Sequence, residues 1–147
     1  GGSGKYLFAL YLATLVSENI GEKGLEILPG NVLFVDYETD PIEQEIRAWG
    51  IAKALGIDGP SNIFYRYASQ PLAADNAEIQ QIAIEKDIAF IIIDSVGLAC
   101  GGEPEKAGVV TEYFRALRSL RITSLSIDHM VKNADGKKAA PFGSVYK

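Results

Sequence analysis

Four short stretches of this 147-residue chain carry residue types that could do chemistry. The first is Gly1-Gly2-Ser3-Gly4-Lys5, which runs directly into the apolar segment 7–16. A glycine-rich turn that opens a helix aims backbone N–H groups and the positive end of the helix dipole at one point. That suits phosphate, and a lysine there can reach the terminal phosphates. The other three stretches end apolar runs: Asp36 with Glu38, Asp94-Ser95, and Asp128-His129. A lysine on phosphate, a carboxylate for a divalent cation and a carboxylate that orients water together make a phosphoryl-transfer set, in which positioning and charge neutralisation outweigh covalent help. Each residue also has a plainer reading. Gly-Ser-Gly-Lys suits a flexible leader, Asp94 a turn acid, Glu38 an exposed acid beside the Asp40 cap, and Ser95 a turn serine, with a bond to a neighbouring motif as the alternative. His129, the one histidine, suits a structural imidazole.

The elements that must position these groups alternate. Runs rich in Val, Ile and Phe at 32–37, 63–67, 88–95 and 124–128 read as buried strands. Between them the spacing is helical. Segment 7–16 is nearly continuous in apolar residues and predicts a mostly buried helix. Asp40 can cap the next helix, with Pro41 at its first position and Glu43 completing a capping box. Its apolar face runs Ile42, Ile46, Trp49, and it ends near Gly56. Asp75 and Glu78 repeat the capping-box spacing before Ile79, Ile82 and Ala83. A last helix over 105–120 sets Val110, Tyr113, Phe114, Leu117 and Leu120 on one stripe. Strands apolar on both faces, alternating with helices, predict an α/β fold: a three-layer sandwich around a mostly parallel sheet. Such sheets bind ligands at the carboxyl ends of their strands, which is where the acids stand.

Composition narrows the function classes. A chain that is 48% hydrophobic and 22% charged, with no repeat, predicts one globular domain. The balance of 14 Lys plus Arg against 19 Asp plus Glu, a net charge of −5, argues against a globally basic nucleic-acid module but leaves room for a local basic loop. A single cysteine, Cys100, excludes a disulfide scaffold and reads as a passive thiol. Apolar runs such as 88–93 are too short to span a bilayer, and no charged-then-apolar leader precedes the first helix, so a cytoplasmic domain without membrane contact is expected. A dinucleotide-binding reading fails on its motif, because Leu7 stands where G-x-G-x-x-G needs its last glycine.

Taken in order, Gly2-Ser3-Gly4-Lys5, then residues 32–40 (VLFVDYETD), then Ile91-Ile92-Ile93-Asp94-Ser95, then Ile127-Asp128-His129 resemble the RecA-like P-loop ATPases. The similarity extends from Gly1 to about Ser144 and is greatest to the branch of RepA-type replicative helicases and related AAA-family ATPases of phages and plasmids. The resemblance implies ATP and Mg²⁺ as ligands and a nucleotide site built from Gly2, Ser3, Gly4, Lys5 and Tyr6. It implies that Glu38 polarises the attacking water, that Asp94 holds Mg²⁺ through water, and that His129 senses the γ-phosphate. It further implies a motor domain acting on DNA, helicase-like, in a ring-shaped homo-oligomer. The alternative is a nucleotide-binding or scaffold module that does not hydrolyse ATP.

Two departures from the family bear on that alternative. Tyr6 stands where the family has the Ser or Thr that binds Mg²⁺ directly. The family's first strand, which the resemblance sets in the middle of the sheet before the phosphate loop, has no counterpart here, and the strand expected after Gly143-Ser144 stops near Lys147. Residues 1–147 therefore read as a single RecA-like domain truncated at both ends, whose central neighbours either lack ladder partners or pair directly. The loops after the second and third acidic strand ends, 97–104 and 131–142, correspond to those that face DNA in the family. The first offers only Glu103, whereas Lys132, Lys137 and Lys138 with Phe142 in the second could combine phosphate attraction with base stacking on single-stranded DNA.

Overall fold

The computed structural model describes residues 3–22, 24, 26–103 and 106–128. Helices and strands alternate as α1 (Ser3–Glu18), β1 (Asn31–Asp36), α2 (Pro41–Leu55), β2 (Ile63–Tyr67), α3 (Leu72–Glu85), β3 (Ile88–Asp94), the single-turn α4 (Val96–Ala99), α5 (Ala107–Ser119) and β4 (Thr123–Ile127). The four strands form one all-parallel sheet in the order β2-β1-β3-β4. Successive side chains of a strand point to opposite faces, so each strand serves two cores. On one face Tyr6, Leu10 and Ala13 of α1 and Ala48 of α2 pack on Val32, Phe34, Ile92 and Ile127. On the other, Leu72, Ile79, Tyr113 and Leu117 of α3 and α5 cover Leu33, Val35, Ile91 and Ile93. This is the α/β three-layer sandwich predicted, with the sheet of a RecA-like core. Both inner strands have a ladder partner on each side: β1 pairs with β2 and β3, and β3 pairs with β1 and β4.

The helices depart from expectation in instructive ways. α1 starts at Ser3 and buries Tyr6, Ala9, Leu10, Ala13, Thr14 and Leu15, while Leu7 and Phe8 are exposed. In α2 the caps are as expected. Asp40 is extended and accepts the N–H groups of Ile42 and Glu43 at 2.9 Å each, and Gly56 closes the helix in the left-handed region at φ 71°. Glu43 does not complete a capping box; its carboxylate pairs with Arg47 one turn on.

The buried face of α2 is also not the expected one. Gln44, Ala48 and Ala52 face inward, whereas Ile42, Ile46 and Trp49 are 72%, 67% and 51% exposed. Both sets share the helical repeat, and the small residues let the helix approach the sheet closely. Ile46→Ser is therefore expected to change folding stability by no more than about 0.5 kcal/mol, as for other surface positions. A urea-unfolding loss of several times that size would return Ile46 to the core.

α3 has no side-chain cap, and Asp75 with Glu78 forms no capping box. Both acids are taken by Arg66 of β2, which forks onto Asp75 at 2.6–3.0 Å and reaches Glu78 at 2.6 Å. α3 begins at Leu72, so Asp75 lies within its first turn and not at its N-cap. α5 begins at Ala107 and buries Tyr113, Ala116 and Leu117, while Phe114 of the expected stripe is exposed. Among the described residues, no helix is long and apolar enough to cross a membrane.

Candidate active site

The first turn of α1 stands at the carboxyl end of the sheet. Lys5 is exposed, and its Nζ donates to the backbone carbonyl of Asp128, one residue beyond β4. Gly4 beside it faces open space, with nothing within 4 Å of where a Cβ would sit. The strand ends below are in register: Asp36 opposes Asp94, and Asp94 opposes Ile127. Phe34, Ile92 and Ile127 pack under α1, and the two-residue repeat puts Asp36 and Asp94 on that same face. The sheet thus brings an exposed lysine at a helix N-terminus and two buried carboxylates, 0% and 2% exposed, to one end of one face.

Asp36 organises the turn that follows β1. Its Oδ1 accepts the N–H groups of Glu38 at 2.8 Å and Thr39 at 2.9 Å. Such Asx turns let a short acid replace ladder bonds that the ended strand no longer makes. Tyr65 Oη donates to the Thr39 carbonyl at 2.7 Å. The carboxylate of Glu38, the residue between, accepts from Ser95 Oγ at 2.6 Å, which ties the end of β1 to the end of β3. The Asp94–Ser95 peptide is cis. Ser95 therefore does bond a neighbouring motif.

Tyr6 turns inward. Its ring lies 5.1 Å from that of Phe34, with the Arg47 guanidinium 4.6 Å from its centre. Its phenol lies against the Asp36 carboxylate, although neither Tyr6 Oη nor Asp36 Oδ2 completes a hydrogen bond among the described residues. Burial, then the Asp36 charge, pushes the Tyr6 phenol far above its ordinary 10.0, and the same two causes raise Tyr65. A phenol whose pKa is raised in the folded state keeps its stabilising effect below the unfolded value and loses it as pH rises above that value. Stability should accordingly fall above pH 10. In Tyr6→Phe that alkaline limb should be shallower by up to about 1.4 kcal/mol per pH unit, read from urea midpoints between pH 9 and 11. An identical limb in the variant would mean that Tyr6 titrates as freely folded as unfolded.

A divalent cation is consistent with this donor set only in company with phosphate. Among the described residues, no group of three His, Cys, Asp or Glu side chains could hold a metal alone. Mg²⁺ characteristically takes one or two carboxylates, several waters and substrate phosphates, and Asp94 is the carboxylate at hand. Of the other residues singled out in the sequence, Gly2, His129, Lys132, Lys137 and Lys138 lie outside the described residues, and of Ser3 only its position at the head of α1 is described. The role of Asp36 was not read from the sequence; the Asp-x-Glu spacing after an apolar run is the signal that could have pointed to it.

Comparison with known proteins agrees with this arrangement. No curated protein matches the chain. A family model described as the AAA domain matches residues 1–135, which spans α1, all four strands and every acidic strand end. With an all-parallel α/β sheet, a lysine in the first turn of the leading helix and buried acids at the strand ends below it, the chain belongs to the AAA domain family of P-loop-type ATPases.

Proposed function

We propose that this domain binds and hydrolyses ATP and uses the cycle to act on DNA, in the manner of a replicative helicase or a related DNA-processing ATPase. The observation that carries the reading is the convergence of Lys5, Asp94 and Glu38 at the carboxyl end of one parallel sheet. Lys5 and the N–H groups of the first turn of α1 would bind the phosphates. Asp94 would hold Mg²⁺, which when bound neutralises charge on the β- and γ-phosphates. Glu38, its carboxylate oriented by Ser95, would align the attacking water and accept its proton. Gly2, Ser3 and Gly4 would contribute backbone N–H groups, and His129 would report the γ-phosphate to the loop of Lys132, Lys137 and Lys138, where single-stranded DNA would bind. A ring-shaped homo-oligomer belongs to the same proposal and rests on the family resemblance.

The second reading, a nucleotide-binding module that does not hydrolyse ATP, is favoured by one observation: Tyr6 directs its oxygen into the core and supplies no short hydroxyl for a metal. Phosphate release from ATP, measured with and without Mg²⁺ and with and without single-stranded DNA, separates the two. Mg²⁺-dependent release that DNA stimulates supports the motor. ATP binding with no release above background supports the binding module.

A further inference from the structure

We propose that Asp36 is the positioning residue of Glu38, holding the backbone from which that carboxylate reaches the water. The proposal rests on the reading of Glu38 as the group that aligns water. Three observations carry it.

First, the ladder stops short of Glu38. Tyr37 N–H still bonds the Asp94 carbonyl at 2.7 Å, but the N–H groups of Glu38 and Thr39 both go to Asp36 Oδ1. Without that oxygen two adjacent backbone donors lose their acceptor where Glu38 leaves the sheet. Secondly, the turn is clamped at both of its polar sides. Asp36 takes the N–H groups, and Tyr65 takes the Thr39 carbonyl. Ser95 then fixes the Glu38 side chain itself. Holding an exposed, flexible glutamate from several directions costs side-chain entropy, and a surface turn alone has no need of it.

Thirdly, Asp36 is wholly buried at the end of the strand whose Phe34 packs on the ring of Tyr6, one residue from Lys5. Asp36 thus stands where α1 packs on the end of β1 and holds the Glu38 turn there. This gives a physical reason for a tyrosine at position 6. Its length spans from α1 to the end of β1, which a serine or threonine could not do.

The test is a comparison of Asp36→Ala, Asp36→Asn, Glu38→Gln and the double variant Asp36→Ala/Glu38→Gln in the full chain, with ATP affinity by calorimetry and kcat by phosphate release. Asp36→Ala should lower kcat on the order of 10²-fold while ATP affinity stays within about threefold, and the double variant should be no slower than Glu38→Gln, because both remove one aligned group. Asp36→Asn should keep kcat within a few-fold of wild type: its amide oxygen can accept the same two N–H groups, and its NH₂ can donate to the Tyr6 oxygen. A purely structural Asp36 would move affinity, kcat and thermal stability together. Wild-type kcat in Asp36→Ala overturns the proposal, as does additive loss in the double variant. If Asp36→Ala does not fold, Asp36→Asn decides: a folded variant with kcat down 10²-fold overturns the proposal, and near-wild-type kcat with slow exchange of the Glu38 and Thr39 amides supports it. Wild-type kcat in Glu38→Gln would instead remove the underlying reading of Glu38, whatever Asp36 does.

Discussion

Glu38→Gln should leave ATP affinity within about threefold of wild type and lower turnover by 10²-fold or more, the range for removing a positioned base. The substitution is nearly isosteric. The amide oxygen can still accept from Ser95 Oγ, now at 2.6 Å from the carboxylate, so the bond between the ends of β1 and β3 persists. What disappears is the capacity to take a proton from water as it attacks. Glu38 is exposed, so its replacement disturbs no packing and the fold should melt as before. Calorimetric titration with ATP and phosphate release under single-turnover conditions read the two quantities separately. If affinity and turnover fall together, Glu38 has a structural role and the base stands elsewhere.

Lys5→Ala is the complementary case and should act on binding. Loss of a charge-assisted hydrogen bond to phosphate is expected to cost about 1.5–3 kcal/mol, or roughly 10- to 150-fold in ATP affinity. The lysine stands in the first turn of α1, where the helix dipole already favours an anion, so some affinity should survive its removal. Its bond to the Asp128 carbonyl is the only hydrogen bond found for it among the described residues, and that oxygen is at a strand end, only partly buried. The stability change should therefore be small. Raised salt should weaken wild-type binding more than that of the variant, because the lost interaction is between charges. Unchanged ATP affinity in Lys5→Ala would refute a phosphate site at the head of α1.

Much of this architecture was legible in the residues alone, and for a definite reason. Runs such as Phe90-Ile91-Ile92-Ile93 are apolar on both faces, which only a covered parallel strand can use, and parallel strands joined by helices leave their carboxyl ends for ligands. From that topology it follows that Lys5, Asp36, Glu38 and Asp94 meet at one end of the sheet. Local rules also held where the interaction is local. Asp40 and Gly56 bound α2 as expected, because capping depends on neighbours a few residues away.

Other features depended on contacts between distant segments. The apolar repeat Ile42, Ile46, Trp49 cannot reveal which side of α2 faces the sheet. Close approach of the backbone selected Ala48 and Ala52 instead. Asp75 and Glu78 have the spacing of a cap, yet an arginine nine residues before Asp75, on another element, pairs with both. By its place in the motif, Tyr6 is a departure near a metal. Its ring could go either way until β1 offered Phe34 for packing and Asp36 for its phenol. The same holds for Ser95 and Glu38, 57 residues apart in the chain and hydrogen-bonded across two strand ends. Side-chain type and spacing fix what a residue can do nearby, whereas long-range packing chooses among partners of similar energy, and that choice is made only when the sheet closes.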